Sequence, residues 1–516
     1  MIGVDGASWT QIDHFIKIGK MPNLEKIIQN GVRATLNSYF PFSSDSSWLS
    51  ILTGTNPGKH GVPELGTKFS NKLPILWEFL SKNFKKTIIV NDLSTYPPLN
   101  LDGIMISGGE STPQDSKKFV YPEEIMNEIN SICENYIPTI PKEYTKFVKE
   151  LNFEDAFSVM EKYDKDVANI FFQLLKNHKW ELSCFMLEDP DILHHNFWDK
   201  EKFLMKFYSW FDQIIGQIKK IIDDNGGDLI IVSDHGGGGV DKHFLPNTWL
   251  QHMGLVKFSQ HDIVTKSLTK TKFTRDKLRN DLEKLHLRNT ISKITPKILK
   301  KKIPLHKDES NFIDENKDKA FSKTYGTISI NENDPIERKE LIDKIISGLL
   351  SLKDGNKQVV LEAHKREEVF HGPFVERARD IQFLLNEGYR WSPYFRDTSY
   401  LISNDEYGDE IRVGDHRPEG ILVAYGSNMK KGEILTKKIM VWDICPTIMH
   451  MFDIPIPSYM DGKPLKEIFH DESKYQSKDL EIIEQKIEDA IKSSNNPYTD
   501  EQEKEIEKEL KDLGYI

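Results

Sequence analysis

The chain has 516 residues, a formal net charge of −11 and a sequence pI near 5.9. This acidic balance argues against a protein that binds a nucleic-acid duplex, because such domains are typically basic. The three cysteines are far apart and include no CxxC pair, which argues against a disulfide framework and against a thiolate zinc site.

The sequence carries no sign of a membrane span or of a secretion signal. No apolar run approaches the ~20 residues that cross a bilayer. The first residues also lack a charged region followed by an apolar stretch, which is the pattern of a signal peptide. We therefore expect a cytoplasmic protein.

Short apolar runs alternate with helical patterns through the first half of the chain. A strand is predicted at residues 2–4, followed by a helix that begins at Pro22 and ends near Gly31. Further strands are predicted at 85–92, 182–187 and 228–234. Strands separated by helices in this way predict a three-layer α/β/α sandwich with a mostly parallel central sheet and helical insertions.

Changes in composition predict two insertions and a tail. The predicted organisation is an α/β core at 1–109, 181–255 and 320–470, a helical cap at 110–180, a basic helical insertion at 256–319 and a charged helical tail at 471–516. Residues 256–303 hold fourteen Lys or Arg against four acidic residues. A solvated face is the simpler explanation for this basic segment, and weak contact with a membrane surface or another anionic partner is the alternative.

Residues 41–54, PFSSDSSWLSILTG, place four serines and one aspartate within five positions before an apolar helical run. The ordinary explanation is a loop with good helix-capping residues. The cluster gains a chemical meaning only if metal ligands elsewhere in the chain converge on one of its hydroxyls.

Acidic and histidine side chains occur together in four short segments, which contain Asp5, Asp191 with His195, Asp234 with His235, and Asp415 with His416. Asp191 and His195 are four residues apart and would share one face of a helix. Asp234 and His235 close a predicted strand and precede four glycines, which allow a close approach to the backbone. Each residue alone could be a helix cap or a buried histidine, but together the four segments favour a metal site.

Nitrogen and carboxylate ligands without thiolates suit zinc, and manganese is also compatible. Two such ions ~4 Å apart can clamp the attacking and leaving oxygens of a phosphoryl displacement. A serine hydroxyl bound to one ion would lose its proton near neutral pH. One serine of the 41–54 stretch could then act as a nucleophile at a helix N-terminus, where backbone amides favour phosphate.

With these segments in place, the sequence resembles the type I phosphodiesterase and nucleotide pyrophosphatase branch of the alkaline phosphatase superfamily. The resemblance covers nearly the whole chain and rests on the order of several stretches, among them GKMPNLEKIIQNGV, LTGTNPGKHGV, DPDILHHNFW, VSDHGGGG and DICPTIMHMFDIPIPSYMDGKPL. It implies an alkaline phosphatase-like fold and hydrolysis of a phosphoric ester at a two-metal site.

The resemblance also implies a role for each convergent residue. One metal would be bound by Asp191, His195 and His416, and the other by Asp5, Asp234, His235 and the nucleophile. The family's nucleophile lies ten residues before the glycine of the LTG run, here Gly54, which indicates Ser44, with Ser43 and Ser46 as the alternatives. Ser47 and Trp48 are expected to contact substrate, and His60 is expected to support packing rather than catalysis.

One departure from the family bears on the substrate. Nucleotide-cleaving relatives carry an asparagine that donates to a phosphoryl oxygen, and this chain has Leu65 near that position. A phosphomonoesterase or phosphomutase with the same metals is the alternative to a phosphodiesterase. That alternative needs extra positive charge for a dianionic group, and the ligand segments contain only Arg417.

Three other classes fit less well. The sulfatase branch requires a proline and then an arginine soon after its nucleophile, and SSDSSW has neither. A serine esterase is suggested by HGGGG, but no GxSxG elbow is present. A non-catalytic binding or scaffold protein should lack some ligands, whereas every expected position is filled.

We therefore expect a metal-dependent phosphodiesterase that acts through a phosphoserine intermediate on Ser44. The expected cofactors are two divalent ions, zinc before manganese. The expected substrate is a phosphate-ester small molecule or a phosphorylated glycan, lipid or nucleotide.

Overall fold

The computed structural model describes residues 1–63, 71–109, 112–256, 317–393, 399–404 and 412–493, together with Ile313 and Phe395. Leu65, most of the predicted basic insertion and the C-terminal part of the predicted tail lie outside the described residues. The chain divides into two compact units. One comprises the described residues of Met1–Gly239, Glu367–Ala378 and Glu410–Ile516, and the other those of Val240–Arg366 and Arg379–Asp409.

The strands of the described residues are, in chain order, β1 (Ile2–Val4), β2 (Val32–Asn37), β3 (Thr87–Asp92), β4 (Gly103–Ser107), β5 (Val120–Tyr121), β6 (Leu182–Leu187), β7 (Asp228–Val232), β8 (Gly236–Phe244), β9 (Ala320–Phe321), β10 (Thr327–Ile330), β11 (Lys353–Asp354), β12 (Lys357–Gln358), β13 (Val360–Lys365), β14 (Ile381–Leu385), β15 (Gly388–Trp391), β16 (Leu401–Ser403), β17 (Gly414–Arg417), β18 (Glu419–Gly426), β19 (Glu433–Met440), β20 (Ile456–Pro457) and β21 (Ile482–Ile483).

The α-helices are α1 (Trp9–Lys17), α2 (Pro22–Gln29), α3 (Ser44–Thr53), α4 (Pro57–His60), α5 (Leu76–Lys82), α6 (Ile125–Ile132), α7 (Lys142–Lys149), α8 (Phe153–Asn177), α9 (Asp189–Phe197), α10 (Glu201–Asn225), α11 (Pro246–His252), α12 (Pro335–Leu350), α13 (Arg366–Val369), α14 (Ile444–Met451), α15 (Lys474–Ser477) and α16 (Ile487–Ser493). Short 3-10 helices occur at Val375–Arg377, Val441–Asp443 and Lys466–Ile468.

Nine strands of the first unit form one sheet in the order β19-β2-β18-β7-β1-β6-β3-β4-β5. β18 is antiparallel to both of its neighbours and β5 is antiparallel to β4, whereas the other neighbouring pairs are parallel. In this register, Ile2 of β1 pairs with Phe185 of β6 and with Ile231 of β7. The mostly parallel sheet confirms the fold class predicted from the sequence.

Successive residues of these strands face opposite sides of the sheet and enter two separate cores. Val4, Val90 and Leu187 belong to one core, whereas Ile89 and Met186 belong to the other. Central strands such as β6 and β7 are buried at almost every position because helices cover both faces. Helices α1, α2, α8 and α10 contribute to the first core, and α3, α5 and α14 contribute to the second.

Helix α2 receives its N-terminal cap from another helix. Met21, the residue before it, makes no side-chain hydrogen bond to the helix. Asp212 of α10 is buried and accepts hydrogen bonds from the backbone amides of Asn23 at 3.0 Å and Leu24 at 2.8 Å, and from Asn23 Nδ2 at 2.9 Å. Because a helix N-terminus leaves its first amides without partners, these charge-assisted bonds fix α2 to α10.

The second unit has its own core. Strands β13, β14, β10 and β9 form an antiparallel sheet in that order. Phe244, Trp249, Ile328 and Phe383 are buried together in this unit.

The compact units divide the predicted α/β core, since 240–255, 320–366 and 379–409 belong to the second unit. Composition does not mark this boundary because both units contain helices and strands. The predicted cap at 110–180 contains α8, which contributes Val167 and Phe171 to the core around Val4.

Within the described ranges, no helix combines the length and the apolar character needed to cross a membrane.

We expect Asp212→Ala to lower the free energy of unfolding by about 2–4 kcal/mol, because it leaves buried amides of α2 without an acceptor. Urea denaturation followed by circular dichroism measures the loss. Asp13→Ala is the control, since Asp13 accepts two hydrogen bonds from Arg33 at 2.6 Å but is 49% exposed. That variant should lose about 1 kcal/mol or less. Equal losses in both variants would contradict a structural role for the buried cap.

Candidate metal centre

The predicted ligands lie at one edge of the nine-stranded sheet. β1, β6 and β7 are parallel, and β2 runs the same way as β7 because both are antiparallel to β18. Asp5, Ser44, Asp191 and Asp234 follow these strands and therefore lie at their shared carboxyl edge. β18 runs in the opposite direction, so β17, which precedes it, brings His416 to the same edge.

The first group of ligand atoms comes from α9 and β17. Asp191 Oδ2 lies 3.3 Å from His195 Nε2, and Asp191 Oδ1 lies 3.2 Å from His416 Nε2. The Nε2 atoms of the two histidines are 3.0 Å apart. The carbonyl oxygen of Gly414 lies 3.0 Å from His195 Nδ1, which favours the tautomer whose Nε2 can bind a metal. The three residues predicted to bind the first metal therefore point their ligand atoms at one another.

The second group surrounds His235. Its Nε2 atom lies 3.5 Å from Asp5 Oδ1 and 3.4 Å from Asp234 Oδ2. Ser44 Oγ lies 3.1 Å from Asp5 Oδ1 and 3.3 Å from His235 Nε2. The carbonyl oxygen of Gly236 lies 3.0 Å from His235 Nδ1, so this ring also presents Nε2 to the group. The four residues predicted to surround the second metal therefore also converge.

The two groups form one continuous cluster. The ring centroids of His235 and His416 are 4.2 Å apart. The ligand atoms of Asp191, His235 and His416 also lie within 4.8 Å of one another. Asp415 adds a carboxylate to this cluster, because its ligand atom lies within 4.8 Å of those of His195 and His416. The sequence did not assign Asp415 to either metal. Its place beside His416 in the sequence was the only signal.

The donor set fits a divalent cation. Asp234 is fully buried, and its Oδ1 accepts a hydrogen bond from the Gly6 amide at 3.2 Å. Its Oδ2 accepts no hydrogen bond from the described residues. A buried carboxylate oxygen without a donor is costly unless a cation compensates it. Carboxylate and imidazole groups are the ligands that zinc and manganese accept.

Burial and mutual repulsion shift the pKa values of the site. Burial, with the charge of Asp191, raises the pKa of Asp5 to about 7. Burial, with the charge of Asp5, raises the pKa of Asp234 well above its usual range. Burial lowers the pKa of His235 to about 3, which keeps this imidazole in the neutral form that binds metals. A cation among these groups would offset the repulsion between the carboxylates.

The serine-rich stretch contains one site residue and several packing residues. Ser44 is the first residue of α3, and its hydroxyl faces the second ligand group. The other three serines of the helix are fully buried with partners of their own: Ser46 with the Val62 carbonyl at 2.5 Å, Ser47 with Ser38 Oγ at 3.0 Å, and Ser50 with His60 Nε2 at 3.1 Å. These hydroxyls tie α3 to neighbouring segments.

Ser47 and Trp48, the two residues predicted to contact substrate, do not face solvent. Both are 0% exposed. The Ser47 hydroxyl pairs with Ser38, and Trp48 Nε1 donates to Asp5 Oδ2 at 2.9 Å. Their positions, three and four residues after Ser44, turn toward the sheet, so we correct this expectation.

Two further histidines near the site serve packing. His60 is fully buried against Ser50, and burial lowers its pKa to about 3. The expectation that His60 supports packing is therefore confirmed. His194 is also buried, and its Nε2 lies 3.0 Å from the Tyr208 hydroxyl rather than among the ligand atoms.

The four glycines after His235 form the start of β8, which pairs with β17. A Cβ atom at Gly237 would lie 2.3 Å from His194 Nδ1, and one at Gly239 would lie 2.7 Å from Trp198 Nε1. The glycines therefore allow this strand to pack closely beside α9 and His416. This packing accounts for the HGGGG sequence without an oxyanion loop.

The fold is similar to that of solved phosphonoacetate hydrolase structures. Two structures of phosphonoacetate hydrolase from Sinorhizobium meliloti 1021, one with phosphonoformate and one with phosphonoacetate, each align with a TM-score of 0.52 at 14% identity, covering 86% of this chain and 93% of the other. Murine ectonucleotide pyrophosphatase/phosphodiesterase 5 aligns with a TM-score of 0.46 at 13% identity, covering 91% of this chain and 99% of the other. At these identities the likeness concerns the fold alone.

Sequence comparison gives the family. No curated protein sequence matched the chain. The family model described as type I phosphodiesterase/nucleotide pyrophosphatase matches residues 1–416, which is most of the chain and includes all seven residues predicted to surround the two metals. The chain therefore belongs to the type I phosphodiesterase/nucleotide pyrophosphatase family of hydrolases, which act on phosphoric esters.

Proposed function

We propose that this protein hydrolyses a phosphodiester through a phosphoserine intermediate on Ser44, at a site that binds two divalent cations. The observation that carries the proposal is the position of the Ser44 hydroxyl. It lies 3.1 Å from Asp5 Oδ1 and 3.3 Å from His235 Nε2, at the N-terminus of α3. A nucleophile is therefore available beside a cluster suited to metal ions.

Seven side chains would hold the two cations. Asp191, His195 and His416 would bind one, and Asp5, Asp234, His235 and Ser44 would bind the other. Zinc fits this set of donors best, and manganese is the second choice. When bound, such ions favour the deprotonated form of nearby hydroxyls and offset the negative charge of a phosphate in the transition state.

The reaction would proceed in two displacements at phosphorus. Ser44 Oγ forms a bond to phosphorus, and the ester bond to the departing alcohol breaks. In the overall balance, the proton that Ser44 loses ends on the departing alcohol. Water then attacks the same phosphorus and the Ser44 Oγ bond breaks. The products are an alcohol and a phosphate monoester, and the serine hydroxyl is regenerated.

Helix α3 favours the phosphate charge at the point of attack. The Ser47 amide donates to the Ser43 carbonyl at 2.8 Å, which closes the first turn of the helix. A helix N-terminus presents the amides of its first turn and a positive partial charge to an anion.

Phe42 packs against two imidazoles of the site and restricts their movement. Its ring centroid lies 5.8 Å from that of His235 and 6.1 Å from that of His416.

The arginine in the ligand segments is already engaged, which supports a diester over a monoester. Arg417 Nη1 donates to the His416 carbonyl at 2.7 Å, and Arg417 Nη2 donates to the Gly239 carbonyl at 3.1 Å. A dianionic monoester needs more positive charge than a monoanionic diester. Burial and, to a smaller extent, the positive charge of Arg412 lower the pKa of His195. This nearby positive charge supports the second candidate, a phosphomonoesterase.

The proposed substrates are small phosphate diesters, including those of a glycan, lipid or nucleotide. The solved complex of phosphonoacetate hydrolase with phosphonoacetate makes this phosphonate a useful comparison compound. At 14% identity it supplies no argument for a phosphonate substrate here.

Chelator treatment should abolish hydrolysis, because it leaves the buried carboxylates without a cation. Zinc or manganese should restore the activity, and plasma emission spectrometry of the restored protein should find about two ions per chain. Full activity in protein shown to be free of metal would contradict the proposed site.

Ser44→Ala should reduce turnover of an activated diester by at least about 10³-fold, since the nucleophile is lost. Its metal content should stay near that of the wild type, because six other side chains hold the ions. Mass spectrometry of rapidly quenched wild-type protein should find, on the peptide that contains Ser44, a phosphoryl adduct that retains the remaining ester group of the diester.

Ser43→Ala is the matched control for this variant. Ser43 is the residue before α3 and is buried, and its hydroxyl makes no hydrogen bond with the described residues. The control should keep most of the activity. If Ser44→Ala kept full activity and Ser43→Ala lost it, the nucleophile would be Ser43.

An activated phosphodiester should be hydrolysed faster than the matching monoester, sulfate ester or phosphonoacetate. The comparison uses kcat/KM for the four compounds under the same metal conditions. A monoester preference would overturn the diesterase proposal and would favour the second candidate, with Arg412→Gln as the next variant to measure.

A further inference from the structure

One helix holds both oxygens of the Asp5 carboxylate. Ser44 Oγ lies 3.1 Å from Oδ1, and Trp48 Nε1 donates to Oδ2 at 2.9 Å. Ser44 and Trp48 are four residues apart on α3, so they lie on the same face of the helix. One helical turn therefore donates hydrogen bonds to both oxygens of the carboxylate, from the proposed nucleophile to one oxygen and from the indole to the other.

We propose that Trp48 is the positioning residue of the metal centre. Its indole N–H occupies Asp5 Oδ2 and leaves Oδ1, which faces His235 and Ser44, as the oxygen that binds the cation. The inference rests on the proposed function, because it assumes that Asp5 is a metal ligand. It goes further by giving a function to a residue that touches neither substrate nor metal.

Burial makes this hydrogen bond strong and directional. Trp48 is 0% exposed and Asp5 is 3% exposed. When a carboxylate oxygen is buried, loss of the N–H that donates to it leaves a charged group without a hydrogen bond. Partners of this kind orient a ligand, and their removal typically costs 10–100-fold in metal affinity.

The first strand makes room for the indole. Gly3 lies in β1, two residues before Asp5, which directly follows the strand. A Cβ atom at Gly3 would lie 2.7 Å from Trp48 Cη2. The glycine therefore lets the indole ring lie against the strand that leads to Asp5, and the ring and the ligand are positioned by the same segment.

The test measures metal affinity directly, without enzyme activity. Isothermal titration of the metal-free full chain with Zn²⁺ should show two ions in the wild type. In Trp48→Phe, which removes the N–H but keeps an aromatic ring, one of the two ions should bind ~10–100-fold more weakly while the other is unchanged. kcat at saturating metal should then recover most of its wild-type value.

Trp77→Phe is the matched control. Trp77 is also fully buried, and its Nε1 also donates to a buried aspartate, Asp92 Oδ2, at 2.7 Å. Asp92 belongs to none of the ligand groups found among the described residues. The control should lose comparable stability while both zinc affinities remain those of the wild type.

The possible outcomes distinguish failure of the positioning role of Trp48 from failure of the proposed function. If the wild type binds two ions and Trp48→Phe binds both with unchanged affinity, the positioning role is wrong and the proposed function stands. If the wild type binds no Zn²⁺, the proposed function fails and the inference fails with it. If Trp77→Phe weakens zinc binding as much as Trp48→Phe, a general loss of packing explains both and the inference is overturned.

A second variant keeps the test decisive if Trp48→Phe does not fold. Benzothienylalanine incorporated at position 48 retains the shape of the indole and replaces only its N–H with sulfur. The same ~10–100-fold loss for one ion is expected. Unchanged affinity in that protein would overturn the inference.

Discussion

Three carboxylates crowded into one site are the constraint on which the rest of the structure depends. Asp5 and Asp234 are buried and the Asp191 side chain is 13% exposed, so solvent screens these carboxylates little and their mutual repulsion opposes the folded arrangement. The surrounding groups reduce this repulsion, because imidazoles, backbone amides and an indole each point a polar atom at a carboxylate oxygen. A pair of cations would complete the compensation, and the same charge would suit a phosphate ester.

The direction of a single strand brings the centre together. Ligands after β1, β6 and β7 meet because parallel strands end at the same edge. His416 comes from a part of the chain more than 180 residues later and joins them because β18 runs against its neighbours, so that its amino end lies at that edge. The glycines of β8 allow β17 to pair closely enough to deliver the imidazole.

Much of the fold and most of the candidate site could be predicted because the signals were local or ordered along the chain. The strand at 182–187 and the helix from Pro22 were evident from apolar patterning and a helix-start signal. Ser44 could be identified as the proposed nucleophile only from the family spacing. The sequence places four serines within five positions and does not reveal which hydroxyl faces the ligand groups. Trp48 was misjudged because its burial depends on Gly3, which packs against it only in the folded chain. The division into two compact units has no signal in composition, because both units contain helices and strands.

The most direct measurement is anomalous X-ray diffraction from crystals of the full chain loaded with zinc. The account predicts two anomalous peaks, one among Asp191, His195 and His416 and the other among Asp5, Asp234, His235 and the Ser44 hydroxyl. A single peak, or peaks bound by other residues, would contradict a two-metal centre at this edge of the sheet.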